Sequence, residues 1–129
     1  MELPRISRAA NTTKQEGDAA EAVALDHLRR QGLVLVARNY RTPGRGGGEV
    51  DLVMREPDGT LVFVEVRKRS SARWGGAAAS IGAVKQRRIV FAARHFLLRM
   101  RQPPPCRFDV VGVEGQQIEW LRAAFDADA

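Results

Sequence analysis

Two strand-like runs, Gly48-Glu49-Val50-Asp51-Leu52-Val53 and Phe63-Val64-Glu65-Val66-Arg67-Lys68-Arg69, limit the folds open to this chain more than any other feature. Each has an apolar, β-branched body interrupted by acids, and such strands do not normally carry acids inward unless something cationic meets them. Between them lies Glu56-Pro57-Asp58-Gly59-Thr60. Proline at the second position suits a type I turn and glycine at the fourth suits a left-handed residue, the pattern of a three-residue hairpin loop with a glycine bulge. That turn sets Glu56 opposite Thr60, and hence Val53 opposite Phe63, Asp51 opposite Glu65 and Glu49 opposite Arg67, on one side of the sheet. A two-residue loop would instead set Asp51 against Val66. In the first register the Asp51 and Glu65 Cβ atoms lie roughly 5 Å apart, where like charges destabilise a ladder. Two arrangements relieve the repulsion: a divalent cation between the acids, or a salt-bridge network in which Arg67, Lys68 or Arg69 neutralises them.

The flanking sequence supplies the layers around this hairpin. Residues 1–12 lack periodicity and read as a flexible arm. Thr13-Lys14-Gln15-Glu16 has the capping-box pattern and opens a helix to about Gln31, closed by Gly32. Its inward stripe is Gly17, Ala20, Glu21, Ala24, Leu25 and Leu28, with Asp18, Ala22, Asp26 and Arg29 on the other side. Glu21 is an acid in that stripe, either paired with an arginine or lent to the Asp51/Glu65 site as a third carboxylate. Leu33 to Arg41 reads as the first strand, and Thr42 to Gly48 as a flexible loop. That loop lacks the Gly-Lys-Ser/Thr ending and following helix of a phosphate-binding P-loop.

Beyond the hairpin, Ser70 to Ser80 is a small-residue loop in which Trp74 either anchors the loop on the core or stacks on a base. A second helix is predicted from about Ile81 to Arg101, with Lys85, Ile89, Ala92, Phe96 and Met100 on one stripe, ended by Pro103-Pro104-Pro105. Lys85 sits near its N-terminus, an unfavourable place for a cation unless an anion is near. Phe108 to Glu114 and Gln117 to Leu121 form a last hairpin around Gly115, and residues 126–129 a tail. His27 and His95 are too isolated for a metal or catalytic pair. The order αβββαββ implies an α/β domain over residues 13–125, a mixed, mostly antiparallel sheet of about five strands flanked by helices.

Composition narrows the partners. A net charge of +6 carried by arginine more than lysine favours a polyanion, and nucleic acid leads. Arg41, Arg45, Lys68, Arg69, Arg73, Arg87 and Arg88 cluster in sequence around the acidic strands and are the candidate nucleic-acid contacts. Cys106 is alone, which excludes an intramolecular disulfide or multi-cysteine metal site, fits a reducing compartment and suits a small buried side chain. No apolar run reaches the length of a signal-peptide core or membrane span, so a cytoplasmic protein is expected.

Glu21 in a helix, Asp51 in "GEVDLV" and Glu65 in "FVEVRKR" resemble the PD-(D/E)XK nuclease superfamily. More narrowly, "EGDAAEAVALDHLRRQG", "ARNYR", "GGEVDLV", "LVFVEVRKR", the Lys85 helix and "RFDVVGV…IEWLRAAF" are similar, in order across residues 15–125, to the YraN family of Holliday-junction-resolvase-like proteins. The resemblance implies a restriction-endonuclease-like core and a Mg²⁺- or Mn²⁺-dependent endonuclease hydrolysing DNA phosphodiesters, on branched or structured DNA. It implies Asp51, Glu65 and the Val66 carbonyl as metal ligands, with Glu21 holding a second metal or orienting water. Symmetric cleavage of a junction would call for a homodimer. This chain departs from the superfamily at Arg67, where the pattern has Lys two residues after the second acid. Arg67 can stabilise a phosphate but cannot give up its proton, and Lys85 is the residue able to take the missing role. The alternative is a catalytically impaired nuclease-fold module that binds nucleic acid; a third is a scaffold whose acids are paired structurally.

Overall fold

The computed structural model describes residues 13–68 and 81–127. Helix α1 (Thr13–Arg30) leads into an antiparallel meander of β1 (Val34–Arg41), β2 (Glu49–Arg55) and β3 (Leu61–Lys68). Helix α2 (Ala83–Leu97) then returns the chain so that β4 (Cys106–Glu114) lies parallel to β3, and β5 (Gln117–Phe125) turns back antiparallel to β4. The elements follow the expected order αβββαββ in a mixed, mostly antiparallel sheet, whose strands lie in the order β1-β2-β3-β4-β5. Among the described residues no helix is long and apolar enough to cross a membrane.

The central strands are buried on both faces, which explains their nearly unbroken apolar runs. Leu52, Met54, Val62 and Val64 pack with Ala20, Ala24, Leu25 and Leu28 of α1. Val53 and Phe63 alternate to the other face and pack with Ile89, Ala92, Ala93 and Phe96 of α2. Helix α1 ends in a Schellman motif: the Leu33 N–H donates to the Leu28 carbonyl, the Gly32 N–H donates to that of Arg29, and Gly32 has φ +99°. Leu33 therefore closes the helix, and the strand begins one residue later than expected. Gly17, read as part of the inward stripe, is exposed.

The β2–β3 turn has the predicted geometry. The Glu56 N–H donates to the Thr60 carbonyl, the Gly59 N–H donates to that of Glu56, and Gly59 has φ +96°. Arg55↔Leu61, Met54↔Val62, Val53↔Phe63 and Leu52↔Val64 carry the expected register. The pairing ends at Leu52↔Val64, one step short of Asp51 and Glu65, because the Asp51 carboxylate takes the Val66 N–H at 2.8 Å.

Other boundaries move for tertiary reasons. Helix α2 is shorter than 81–101: Gly82 is extended at its N-cap and Ile81 is buried beside Val110. Beyond Leu97 the N–H groups of Arg99 and Met100 reach back only three residues, leaving Met100 on the surface rather than on the buried stripe. Strand β4 starts at Cys106 because Leu61↔Cys106 opens the parallel ladder, and Cys106 is exposed rather than a buried filler. Strand β5 runs on to Phe125, whose ring stacks on Phe108 at 5.1 Å. His27 and His95 are packing residues, meeting Trp120 edge-on and Tyr40 respectively. The arm at 1–12, the Ser70–Ser80 loop with Arg73 and Trp74, Arg69, and residues 128–129 lie outside the described residues.

Candidate functional site

The acids meet at the sheet end where β2 begins and β3 finishes. Asn39 of β1 stands opposite Asp51, between the pairs Arg38↔Leu52 and Tyr40↔Val50, and has φ +50°, a conformation asparagine tolerates better than most residues. Strand alternation breaks here: Val50 joins the α2-side cluster although Leu52 belongs to the α1 side. The break leaves Asp51 under the influence of Glu21 from α1 and Lys85 from α2. Glu21, Asn39, Arg41, Glu49 and Asp51 line one cleft of about 430 Å³.

Helix α2 is held against this end by close backbone contact. A Cβ on Gly48 would lie 2.0 Å from the Arg88 carbonyl oxygen, so glycine alone fits there without displacement. The Gly48 N–H donates to Thr42 Oγ1 at 2.9 Å, the Thr42 N–H donates to the Gly48 carbonyl at 3.0 Å, and Arg88 Nε donates to the Gly47 carbonyl at 3.2 Å. The base of the glycine loop, expected to be flexible, is thus stapled shut. The staple seats the first turn of α2 over β2, where Lys85 Nζ lies 3.4 Å from Glu49 Oε2 and 3.7 Å from Glu65 Oε2. An anion does meet the lysine at the helix N-terminus.

Burial sets the proton affinities. Glu65, 5% exposed, is raised to about 8, first by desolvation and then by the charge of Asp51, with Lys85 and Arg67 opposing without prevailing. Asp51 is also raised by burial, against the opposing hydrogen bonds of Val66 and Glu65. Both carboxyls therefore hold a proton more tightly than free ones, and they titrate as a pair. Glu21 is raised by burial and by Asp51, although Arg38, 3.7 Å away, and Asn39 pull it down. Glu65 Oε1 and Glu21 Oε1 are buried without a hydrogen-bond partner. Glu21 Oε1 still has the Arg38 guanidinium in ion-pair range, whereas Glu65 Oε1 is left open, and an open buried carboxylate oxygen fits a cation better than a closed protein network.

Among the described residues no group of three or more Asp, Glu, His or Cys side chains converges to hold a metal alone. A metal here would rest on Asp51 and Glu65 with carbonyl and water ligands, a ligand set that suits Mg²⁺. The salt-bridge alternative from the sequence is realised by a different residue. Among the described residues Arg67 makes no ion pair although its charge acts on Glu65, Lys68 pairs with Glu16 at 3.1 Å, and Lys85 is in ion-pair range of Glu65; Arg69 lies outside the described residues. Glu49 faces Arg41 at 3.6 Å across β1 and is not paired with Arg67 as the register had suggested. Arg41 lines the cleft and is exposed, Arg45 is exposed in the β1–β2 loop, and Arg87 and Arg88 are exposed on α2.

Sequence reasoning missed Glu49 as a partner of Lys85, and Asn39 and Thr42 as supports. Only Asn39 left a trace, as a residue suited to positive φ inside a strand pattern.

An open five-stranded mixed sheet with a helix on each face, carrying an acid pair and a lysine at one end, defines the class: an α/β protein with a charged cleft at its sheet end. The chain belongs to the uncharacterised protein family UPF0102, which is the YraN family; the family's sequence pattern matches residues 20–113. It is 65% identical over 127 residues to a UPF0102 protein of Albidiferax ferrireducens, covering 98% of this chain and 99% of the relative. It is 68% identical over 116 residues to one of Paracidovorax citrulli, covering 90% of this chain and 86% of the relative.

Proposed function

We propose that this protein is a Mg²⁺- or Mn²⁺-dependent endonuclease acting on branched or otherwise structured DNA. The observation that carries the reading is the buried Asp51/Glu65 pair, with an unsatisfied Glu65 oxygen and the Lys85 amine 3.7 Å from the Glu65 carboxylate. A bound divalent cation would polarise the phosphodiester and lower the pKa of an attacking water. Asp51, Glu65 and the Val66 carbonyl would hold it, with Glu21 orienting water or a second metal from α1. Arg67, whose charge already acts on Glu65, would contact the phosphate. Lys85 is the candidate for the part that the superfamily gives to the lysine two residues after the second acid. Arg41, Arg45, Lys68, Arg87 and Arg88 supply a basic surround for the DNA backbone.

Four-way junctions, flaps and plain duplex incubated with Mg²⁺ or Mn²⁺ test this directly. The wild type is expected to nick at least one branched form and to stop on addition of a chelator. Asp51→Ala is expected to lose at least about 100-fold in rate, the removal of a few kcal/mol of transition-state stabilisation. A rate unchanged in Asp51→Ala would remove these acids from the chemistry. Salt-sensitive DNA binding without metal-dependent cleavage would favour the non-catalytic binding module, and a gain of cleavage in Arg67→Lys would mark Arg67 as an impaired catalytic position.

A further inference from the structure

Helix α2 buries one side on the sheet and leaves an unusual surface on the other. Phe91 is 53% exposed there, and Arg87 and Arg94, one turn before and after it, are exposed on the same side. These residues line a cavity of about 350 Å³ together with Val90 and Asp126. Among the described residues the other phenylalanines, Phe63, Phe96, Phe108 and Phe125, all make ring contacts, and Phe91 makes none. Among the described residues Phe91 is also the one aromatic in the set of exposed large apolar side chains.

A bare aromatic between two guanidinium groups on a chain of net charge +6 has the composition of a stacking platform for an unpaired base. We propose that this face binds a single-stranded DNA segment, Phe91 stacking on one base while Arg87 and Arg94 contact the flanking phosphates. A duplex does not satisfy the site, because paired bases present their edges and keep their π faces stacked on one another. An acidic peptide would engage the arginines but leave the ring without its partner. Asp126, the acid of the lining, repels phosphate from the β5 side and directs the backbone to the two arginines.

The position relative to the acids names a substrate class. Lys85 opens the same helix and reaches Glu65, and Phe91 stands about 9 Å further along the helix axis, on the outward side. A strand held on Phe91 leaves its duplex near the acid pair, so the DNA recognised is a duplex with a single-stranded branch. That placement rests on the nuclease reading; the binding of the strand does not.

Fluorescence anisotropy in chelator separates the two, since no cleavage can intervene. Wild-type protein is expected to bind a short labelled oligothymidylate, and Phe91→Ala to weaken it about tenfold or more. Phe91→Trp is expected to restore it, with melting temperatures unchanged because the ring is exposed. Arg87→Gln combined with Arg94→Gln should reduce the slope of log affinity against log salt by about 1.4, the value for two single-strand phosphate contacts. Duplex affinity should not depend on Phe91. The inference is overturned if the wild type does not bind the strand, or if Phe91→Ala binds it within about twofold of wild type. It is equally overturned if duplex suffers the same loss, or if oligouridylate or a polyglutamate peptide proves the preferred Phe91-dependent ligand. Phe91-dependent binding by a protein that cuts no DNA would keep this inference and discard the nuclease.

Discussion

Glu65→Gln is expected to remove the metal-dependent cleavage proposed above and, at pH 8, to make the protein more stable. Both effects follow from one buried carboxyl. Glu65 is raised to about 8 because burial, then the charge of Asp51, penalise its ionised form. The folded state therefore holds a proton that the unfolded chain releases near its ordinary value of 4.5. A raised folded value contributes stability that is complete below the unfolded value and is lost as pH rises through the folded one. Metal-free wild type should thus lose several kcal/mol between about pH 4.5 and pH 8. Glutamine has similar shape and cannot ionise, so the variant should show a much flatter profile. Denaturant unfolding in chelator across this range measures the difference; parallel profiles for the two proteins would show that Glu65 is not the group responsible. Glutamine also lacks the charge a divalent cation needs, and cleavage is expected to fall by about 100- to 1,000-fold. Gained stability with lost activity is the signature of a site held ready for a ligand rather than for the fold.

Asp109→Ala is expected to do the reverse, destabilising the protein by about 3–5 kcal/mol, the usual effect of removing one member of a buried charged network. Asp109 is fully buried, and its carboxylate accepts from Arg107 Nε at 3.0 Å, Trp120 Nε1 at 2.9 Å and the Ala123 N–H at 2.9 Å. Arg107 is held in turn by Glu56 at 2.6 Å, which ties the β2–β3 turn to β4. The β4–β5 register shifts between Phe108 and Val110, and Ala123 has φ +51°, so Asp109 also secures an irregular stretch of β5. Alanine would strand two N–H donors and leave Arg107 with Glu56 alone. Thermal unfolding is expected to shift down by roughly 10–20 °C, with Asp109→Asn falling between wild type and alanine. A shift of less than about 3 °C would show that the network contributes little to stability.

These two acids mark how far the sequence could be read. Asp51, Glu65 and Asp109 all show as acids inside apolar strand runs, and the signal does not separate an unsatisfied carboxylate from one that the protein has answered itself. The answer for Asp109 comes from Arg107 two residues away, but also from Trp120 and Ala123 on the next strand. The Asp51/Glu65 proximity was legible because the Pro57-Asp58-Gly59 turn is local and dictates the register to Leu52↔Val64. The approach of Lys85 was legible as a helix-end cation lacking an anion. Glu49 as its partner was not, since that contact depends on Gly48 meeting the backbone of α2 at Arg88. The length of β5 was hidden for a similar reason: Phe125 and the bulge at Asp109 extend it through contacts that no local propensity encodes.

The strand order has a kinetic side. The β1–β2, β2–β3 and β4–β5 pairings join neighbours in the chain, whereas Leu61↔Cys106 and the rest of the parallel ladder require closing the long excursion that carries α2. Loop-closure entropy makes such non-local contacts the slow ones to form. We infer that the meander collects Glu49, Asp51 and Glu65 before α2 docks, and that Lys85 arrives last. In pulse-labelled hydrogen exchange, amides that bridge β2 and β3 should gain protection ahead of those that bridge β3 and β4; simultaneous protection would contradict this order. With Lys85 arriving late, the charged cleft is completed by the final folding step.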